Sequence, residues 1–310
     1  MESSEGGKRI PKGYSVPPHL KHLVAWLCKT SLPVSVCTAL TDWTTIFACM
    51  ALGYNLWWLG WLIAVPLHLL LIFPICGRAL RGIENLVHEA SHFNWDRSRK
   101  TLNDYFANYL CASWVLQSVR GFRLPHLVHH VDFGSDRDPD RMRYNRMGID
   151  AVSRQSAIRF LWYTLRQMPT YVGGFYGQFA NNMKQLFVSL SMHAVLCLVG
   201  SILLTPRFWL LWVIYFGIPF VIYLPVHRFL AESAKHRYAD ATTEFNSTFS
   251  HLGMFQRWFV HPHGDAYHLL HHLLPGIPHW KMPLAHRLLS TLDPNYAHGR
   301  YRVSVFSDPL

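Results

Sequence analysis

"GIENLVHEASHFNW", residues 82–95, holds His88 and His92 four positions apart, with Glu89 beside the first. On an α-helix that spacing leaves the two side chains only about 40° apart in azimuth, so both imidazoles can reach one metal ion. The glutamate could act as a general base on a metal-bound water, or brace a ligand through the ring's other nitrogen. The rest of the chain must decide which chemistry the pair serves.

The chain has 310 residues, 50% of them apolar and only 15% charged, with a net charge of +11 and 20 histidines. The apolar residues are gathered into blocks. Runs at 32–52, 56–76, 186–204 and 209–226 are each about twenty residues long, enough to cross a hydrocarbon core of ~30 Å. Within the first run stands a single charge, Asp42, and the second has none. Gly53-Tyr54-Asn55 is short enough to join the first two runs only as a tight turn, and Thr205-Pro206-Arg207 joins the last two, so the spans form two helical hairpins. The expected fold is an all-α integral membrane protein of four transmembrane helices, with a helical cap between and beyond them.

Lysine and arginine collect in the N-terminal segment (Lys8, Arg9, Lys12, Lys21, Lys29) and in residues 78–184, whereas the two turns hold only Arg207. The positive-inside rule then makes both termini and the middle segment cytoplasmic. The basic charge is absorbed by this topology and needs no nucleic acid; none of the usual nucleic-acid-binding modules is visible. The organisation reads as a basic cytoplasmic segment 1–31, a membrane domain 32–290 and a tail 291–310. The polar, basic start lacks the apolar core of a cleavable signal peptide. The six cysteines show no C-x-x-C spacing and sit mostly in apolar runs, as free buried thiols do. Asp42, His68 and His193 within spans are expected to be satisfied structural groups. Residues 157–186 mix Trp162, Tyr163, Tyr171, Phe175 and Tyr176 with Arg159, Arg166 and Lys184, which suits either interfacial helices or an ordinary amphipathic packing face.

Histidine carries the chemistry. "PHLVHH" gives His126, His129 and His130, and "YHLLHH" gives His268, His271 and His272. Both are H-x-x-H-H, which a helix presents on one face. Pro125 suits the first turn of the second box helix and Asp265 is a candidate N-cap of the third, which Leu274-Pro275-Gly276-Ile277-Pro278 then ends. The apolar stretch 105–119 is too short for a span. A crossing there would also put the first two boxes on opposite sides, so it reads as a buried or re-entrant helix. A zinc peptidase of the H-E-x-x-H type would use two histidines, one further ligand and Glu89, and would leave the other clustered histidines idle. So many imidazoles exceed one ion's coordination and suffice for two; ligand type alone leaves zinc, copper, iron and nickel open.

In ordered boxes and paired hairpins the sequence resembles the membrane-bound fatty acid desaturase superfamily, whose signature is H-x(3–4)-H, H-x(2–3)-H-H and (H/Q)-x(2–3)-H-H. The resemblance spans roughly residues 32–290 and includes the tail "HHLLPGIPHWKMPLAH". It implies two non-haem irons that activate dioxygen with two electrons from a separate carrier and remove hydrogen from an unactivated C–H bond. The implied ligands are His88, His92, His126, His129, His130, His268, His271 and His272. Animal acyl-CoA members carry Asn-Ser-Ala-x-His after the fourth span, and here Glu232-Ser233-Ala234-Lys235-His236 matches it. That match adds His236 as the ninth ligand and puts Glu232, in place of the amide, toward the same iron; the plainer expectation for Glu232 is a salt bridge to Lys235, Arg237 or Arg228. Glu89 becomes a brace for a ligand histidine, with Asp138 and Asp140 as further acids behind the ligands. His227, His261 and His263 lie near the boxes but off their spacing.

The resemblance implies dehydrogenation of an acyl chain or related aliphatic substrate in a multi-pass membrane protein, with a bacterial inner membrane as the expected location. The alternative is hydroxylation of a lipid, carotenoid or small aliphatic or amino-acid-like substrate by the same diiron site. A membrane zinc peptidase is the remote alternative, and a histidine-based metal transporter is disfavoured because the boxes lie outside the spans. No His-Pro-Gly-Gly haem motif or ferredoxin-like cysteine set is visible, so the electrons are expected from a separate ferredoxin, rubredoxin or cytochrome b5-type donor with its reductase. Membrane lipids are the other expected partner.

Overall fold

In the computed structural model, residues 8–152, 156–180, 182–239 and 241–303 are described. Four helices are long and apolar enough to cross a membrane: Leu32–Leu59, Trp61–Ser91, Met183–Leu203 and Phe208–Glu232. They form the two expected hairpins. The second hairpin turns at Leu204–Arg207, where Thr205-Pro206-Arg207 was expected to turn it. The first turns later than Gly53-Tyr54-Asn55. These three residues continue the helix Leu32–Leu56, and the reversal comes at a 3-10 turn Trp57–Leu59 and at Gly60, whose φ of 81° only glycine adopts without strain.

The second and fourth spans overrun their apolar windows, and that overrun builds the site. The second continues through a π-turn at His68–Ile72 into Phe73–Ser91, so one rod carries both membrane-type residues and the first histidine box. The fourth runs on to Glu232, four residues before His236.

Residues 105–119 do not cross. A helix Lys100–Leu110 is followed by a 3-10 turn Ala112–Val115 and by Leu116 in the left-handed region, and the chain then reverses into the helix Val119–Val131. The reversal is buried against the spans: Trp43 Nε1 donates to Leu110 O at 2.8 Å, and Gln185 Nε2 to Ser113 Oγ at 3.3 Å. Such bonds satisfy backbone and side-chain groups that an apolar setting would leave orphaned. The later amphipathic stretch forms one helix, Ala157–Ala180, packed on the end of the fourth span; Phe175's side chain lies outside the described set.

The three polar groups singled out within spans, Asp42, His68 and His193, have structural partners. Asp42 is buried, 2.7 Å from Arg78 and 2.6 Å from His263. His68 bridges Ala64 O and the Tyr215 hydroxyl, and His193 lies between Trp114 O and Trp212 Nε1. Both terminal segments pack at the box-bearing end. Tyr14 donates to Asp293 at 2.7 Å, Glu244 N bonds Pro11 O at 2.8 Å, and Ser250–His251 pairs in parallel with Tyr301–Arg302. The tail beyond 303 and the first seven residues lie outside the described residues.

Candidate metal centre

Three box helices and one loop converge at this end. The second helix, Val119–Val131, starts at Ser118, whose Oγ accepts from Gly121 N at 3.1 Å. Pro125 therefore sits in mid-helix instead of the first turn, because Ser118 supplies the extended, side-chain-bonded N-cap seven residues earlier. The third is the short helix His268–Leu273, preceded by a 3-10 turn Asp265–Tyr267, and it ends before the Pro-Gly-Ile-Pro stretch as expected. Asp265 is not its cap. Its carboxylate is drawn instead to Lys235 at 2.7 Å, His261 Nδ1 at 3.1 Å and Arg81 at 3.4 Å.

All nine implied ligand histidines meet. His88, His92, His126 and His271 form one group and His129, His236 and His272 a second, each with its ligand atoms within 4.8 Å of one another. His268 joins the second group, its Nε2 lying 3.1 Å from that of His236 and 3.0 Å from that of His272. His130 stands between the groups, with Nε2 3.1 Å from those of both His126 and His271 and its ring 4.5 Å from that of His272.

These separations test whether metal ions fit. Two imidazole nitrogens on one ion at about 2.1 Å lie about 3.0 Å apart at a right angle and about 3.4 Å apart at a tetrahedral one. The Nε2–Nε2 distances run from 2.8 Å, between His92 and His126, to 3.3 Å, between His129 and His272. At such distances two imidazole nitrogens attract only with a proton or a metal cation between them, and the separations fit either.

The outward nitrogens are held in the complementary way. His129 Nδ1 is 2.8 Å from Asp138, His272 Nδ1 is 2.8 Å from Glu244, and His236 Nδ1 is 3.2 Å from Thr248 Oγ1. Each acceptor fixes the tautomer that turns the Nε2 lone pair inward. Burial above all, with the neighbouring positive groups, holds His126, His130, His236, His268 and His271 well below the usual imidazole value of 6.5, so they are neutral and available as ligands. His129 goes the other way: burial opposes its charge, but the Asp140 and Asp138 carboxylates outweigh it and raise the pKa.

Glu244 and Thr248 were not legible as site residues. Both follow the fourth span in a segment without box spacing, and the antiparallel bridge between His236 and Thr248 helps to bring it alongside. Asp138 does stand behind a box histidine and also caps the helix Pro139–Met147. Asp140 lies 3.9 Å from His129 Nε2 and pairs with Arg143 at 3.0 Å.

Glu89 accepts from Asn94 Nδ2 at 3.1 Å and from His279 N at 2.8 Å, and comes no closer than 3.9 Å to His88 Nδ1. It joins the first box to the tail of the third, with His279 Nδ1 3.9 Å from its Oε2. Glu232 does not turn toward the imidazoles beside His236. The helix ends at Glu232, so the two residues do not share a helical face, and its oxygens are taken by Arg228 at 2.7 Å, Tyr171 at 2.8 Å and Arg143 at 3.2 Å. Of the off-spacing histidines, His227 bonds Pro74 O, His261 bonds Asp265 and stacks on His251, and His263 bonds Asp42.

The family model described as fatty acid desaturase matches residues 56–304, four-fifths of the chain and all of the imidazole centre. The chain belongs to the fatty acid desaturase family. This desaturase is 26% identical over 284 residues to dihydrorhizobitoxine desaturase of Bradyrhizobium elkanii, covering 83% of this chain and 75% of that one. It is 24% identical over 294 residues to the endoplasmic-reticulum omega-3 fatty acid desaturase of Vigna radiata var. radiata, covering 86% and 73%. Membership makes the desaturase an oxidoreductase that needs an electron donor, and it removes the peptidase reading of His88-Glu89-Ala90-Ser91-His92.

Proposed function

We propose that the protein is a dioxygen-dependent, non-haem diiron desaturase that places a double bond in an aliphatic substrate: R–CH2–CH2–R′ + O2 + 2 electrons + 2 H+ gives R–CH=CH–R′ + 2 H2O. The observation that carries this reading is the convergence of nine imidazoles into two groups joined through His130. His88, His92, His126 and His271 would hold one iron, and His129, His236, His268 and His272 the other, with His130 between them. When bound, the iron pair supplies reductive activation of dioxygen, which neutral side chains cannot provide.

The chain's own residues do the rest. Asp138, Glu244 and Thr248 orient His129, His272 and His236. Apolar packing keeps bulk water away: Phe133 is fully buried, with its ring 5.2 Å from His236 and 5.4 Å from His272. His88, His126, His129 and His268 line one cavity, which gives a substrate C–H bond its way to the centre.

Desaturation is preferred to hydroxylation because both relatives are named for it. The two electrons would come from a ferredoxin, rubredoxin or cytochrome b5-type protein. It would dock at the end that carries both termini and the basic segments, which charge bias makes cytoplasmic. The test is mass spectrometry of lipids and metabolites from cells with and without the gene, grown under 18O2. A product two hydrogens lighter and free of 18O supports desaturation; a product carrying one 18O means hydroxylation.

A further inference from the structure

The cavity beside the imidazoles is charged where a tunnel for a long acyl chain would be apolar. Its volume is about 340 Å³, at the small end of the range of about 300–1,000 Å³ for small-molecule sites. Leu116, Phe122, Pro125 and Pro139 are its main apolar walls. The wall facing the histidines is a ladder of ion pairs. Arg81 pairs with Glu84 at 3.1 Å and Asp265 at 3.4 Å, Arg228 with Glu232 at 2.7 Å and Glu84 at 3.4 Å, and Arg143 with Asp140 at 3.0 Å and Glu232 at 3.2 Å. Arg81, Glu84 and Arg228 are buried. Burying charges is expensive, and paired apolar residues of similar size would serve stability as well. A long hydrocarbon would gain little here, since filling the cavity would strip water from charges without replacing its hydrogen bonds.

One observation gives the ladder a direction. Arg81, Arg143, Arg228 and Lys235 line the cavity with Glu84, Asp140 and Glu232, and Asp265 behind them pairs with Lys235 and Arg81. Arg81 is left with a spare donor: it is 5% exposed, and its Nε has no hydrogen-bond partner among the described residues. An adjacent cavity of about 270 Å³ shares Pro139, Arg143 and Arg228 with the first, so a chain extended that way meets the same charges.

We infer that the substrate is a small water-soluble molecule bearing a carboxylate, anchored near Arg81 on the ion-pair wall with a short aliphatic segment against the imidazoles, and not a long acyl chain on a lipid or thioester. This rests on the desaturase reading for the chemistry but on the cavity alone for the substrate class.

The test is binding to the full-length protein in mild detergent, by calorimetry, with hexanoate, hexan-1-ol and palmitoyl-coenzyme A as probes. Hexanoate should bind at least tenfold more tightly than hexan-1-ol, and palmitoyl-coenzyme A should not displace it. Arg81→Gln should weaken hexanoate at least tenfold with metal content unchanged. Should that variant fail to fold, Arg81→Lys keeps the charge but lacks the Nε donor and should show a smaller loss of the same sign. Equal affinity for hexanoate and hexan-1-ol, no binding of hexanoate, displacement by palmitoyl-coenzyme A, or indifference to the Arg81 substitutions in a folded protein would overturn the assignment. Because no turnover is needed, such a failure is distinct from failure of the desaturase reading, which metal analysis and product mass spectrometry decide.

Discussion

Glu244 is the residue whose replacement should expose the metal centre most cleanly. It is buried, its Oε1 is 2.8 Å from His272 Nδ1, and its backbone N–H is separately tied to Pro11 O. The side chain can therefore be altered while the local chain stays anchored. A hydrogen bond to a charged group contributes about 1.5–3 kcal/mol. Loss of such a partner behind a metal-bound histidine typically costs about 10–100-fold in metal affinity, which is about 1.4–2.7 kcal/mol. The two figures agree. Glu244→Gln keeps an acceptor and loses the charge, so iron affinity should fall about tenfold; Glu244→Ala leaves the Nδ1–H unpaired and should approach the hundredfold end. The assay is iron retention against a graded chelator under anaerobic conditions, with circular dichroism to check the fold. If folded Glu244→Ala retained iron as wild type does, His272 would not be a ligand oriented through Glu244, and the reasoning would fail.

Three further outcomes are expected. Gly82 packs on Asp42 so closely that an added Cβ would collide with the carboxylate; Gly82→Ala should push it off Arg78 and His263 and destabilise the protein by about 1–3 kcal/mol, read as a lower thermal midpoint. His126, His130, His236, His268 and His271 bind protons more weakly folded than unfolded. The unfolded chain therefore takes up more protons below about pH 6.5, and the metal-free protein should lose stability as pH falls from there, outweighing the opposite contribution of His129; a flat midpoint between pH 7.5 and 5.5 would contradict this. In sealed inverted and right-side-out vesicles, single cysteines at 98 and 136 should label from the same side, and one at 205 from the other.

Much of this was legible because it is written in local pattern. Four apolar runs give four spans, and i, i+3, i+4 spacing puts His126, His129 and His130, or His268, His271 and His272, on one helical face. What stayed hidden depends on contacts between distant segments. Nothing near Glu244 announces a role, since its partner His272 is 28 positions away and reached through long-range contacts such as the His236–Thr248 bridge. Glu232 is the converse case, in which the plainer expectation of a salt bridge to Arg228 holds. Its spacing from His236 suggested a shared helical face, but the helix stops at Glu232, and Arg143, from a helix nearly ninety residues earlier, competes for the carboxylate. Likewise Asp265 looks like a helix cap until Lys235 and Arg81 arrive, and a cation outbids a backbone N–H for a carboxylate. Gly53-Tyr54-Asn55 failed as a turn because the helix could run on to Trp57–Gly60, where a positive φ is needed.

The central claim is that two groups of imidazoles hold two irons. Its most direct measurement is elemental analysis of full-length protein purified anaerobically in mild detergent and reconstituted with ferrous iron. About two irons per chain are predicted, falling by about one in a folded His236→Ala variant. Stoichiometric zinc with no iron uptake, or a single iron unaffected by loss of His236, would contradict the account.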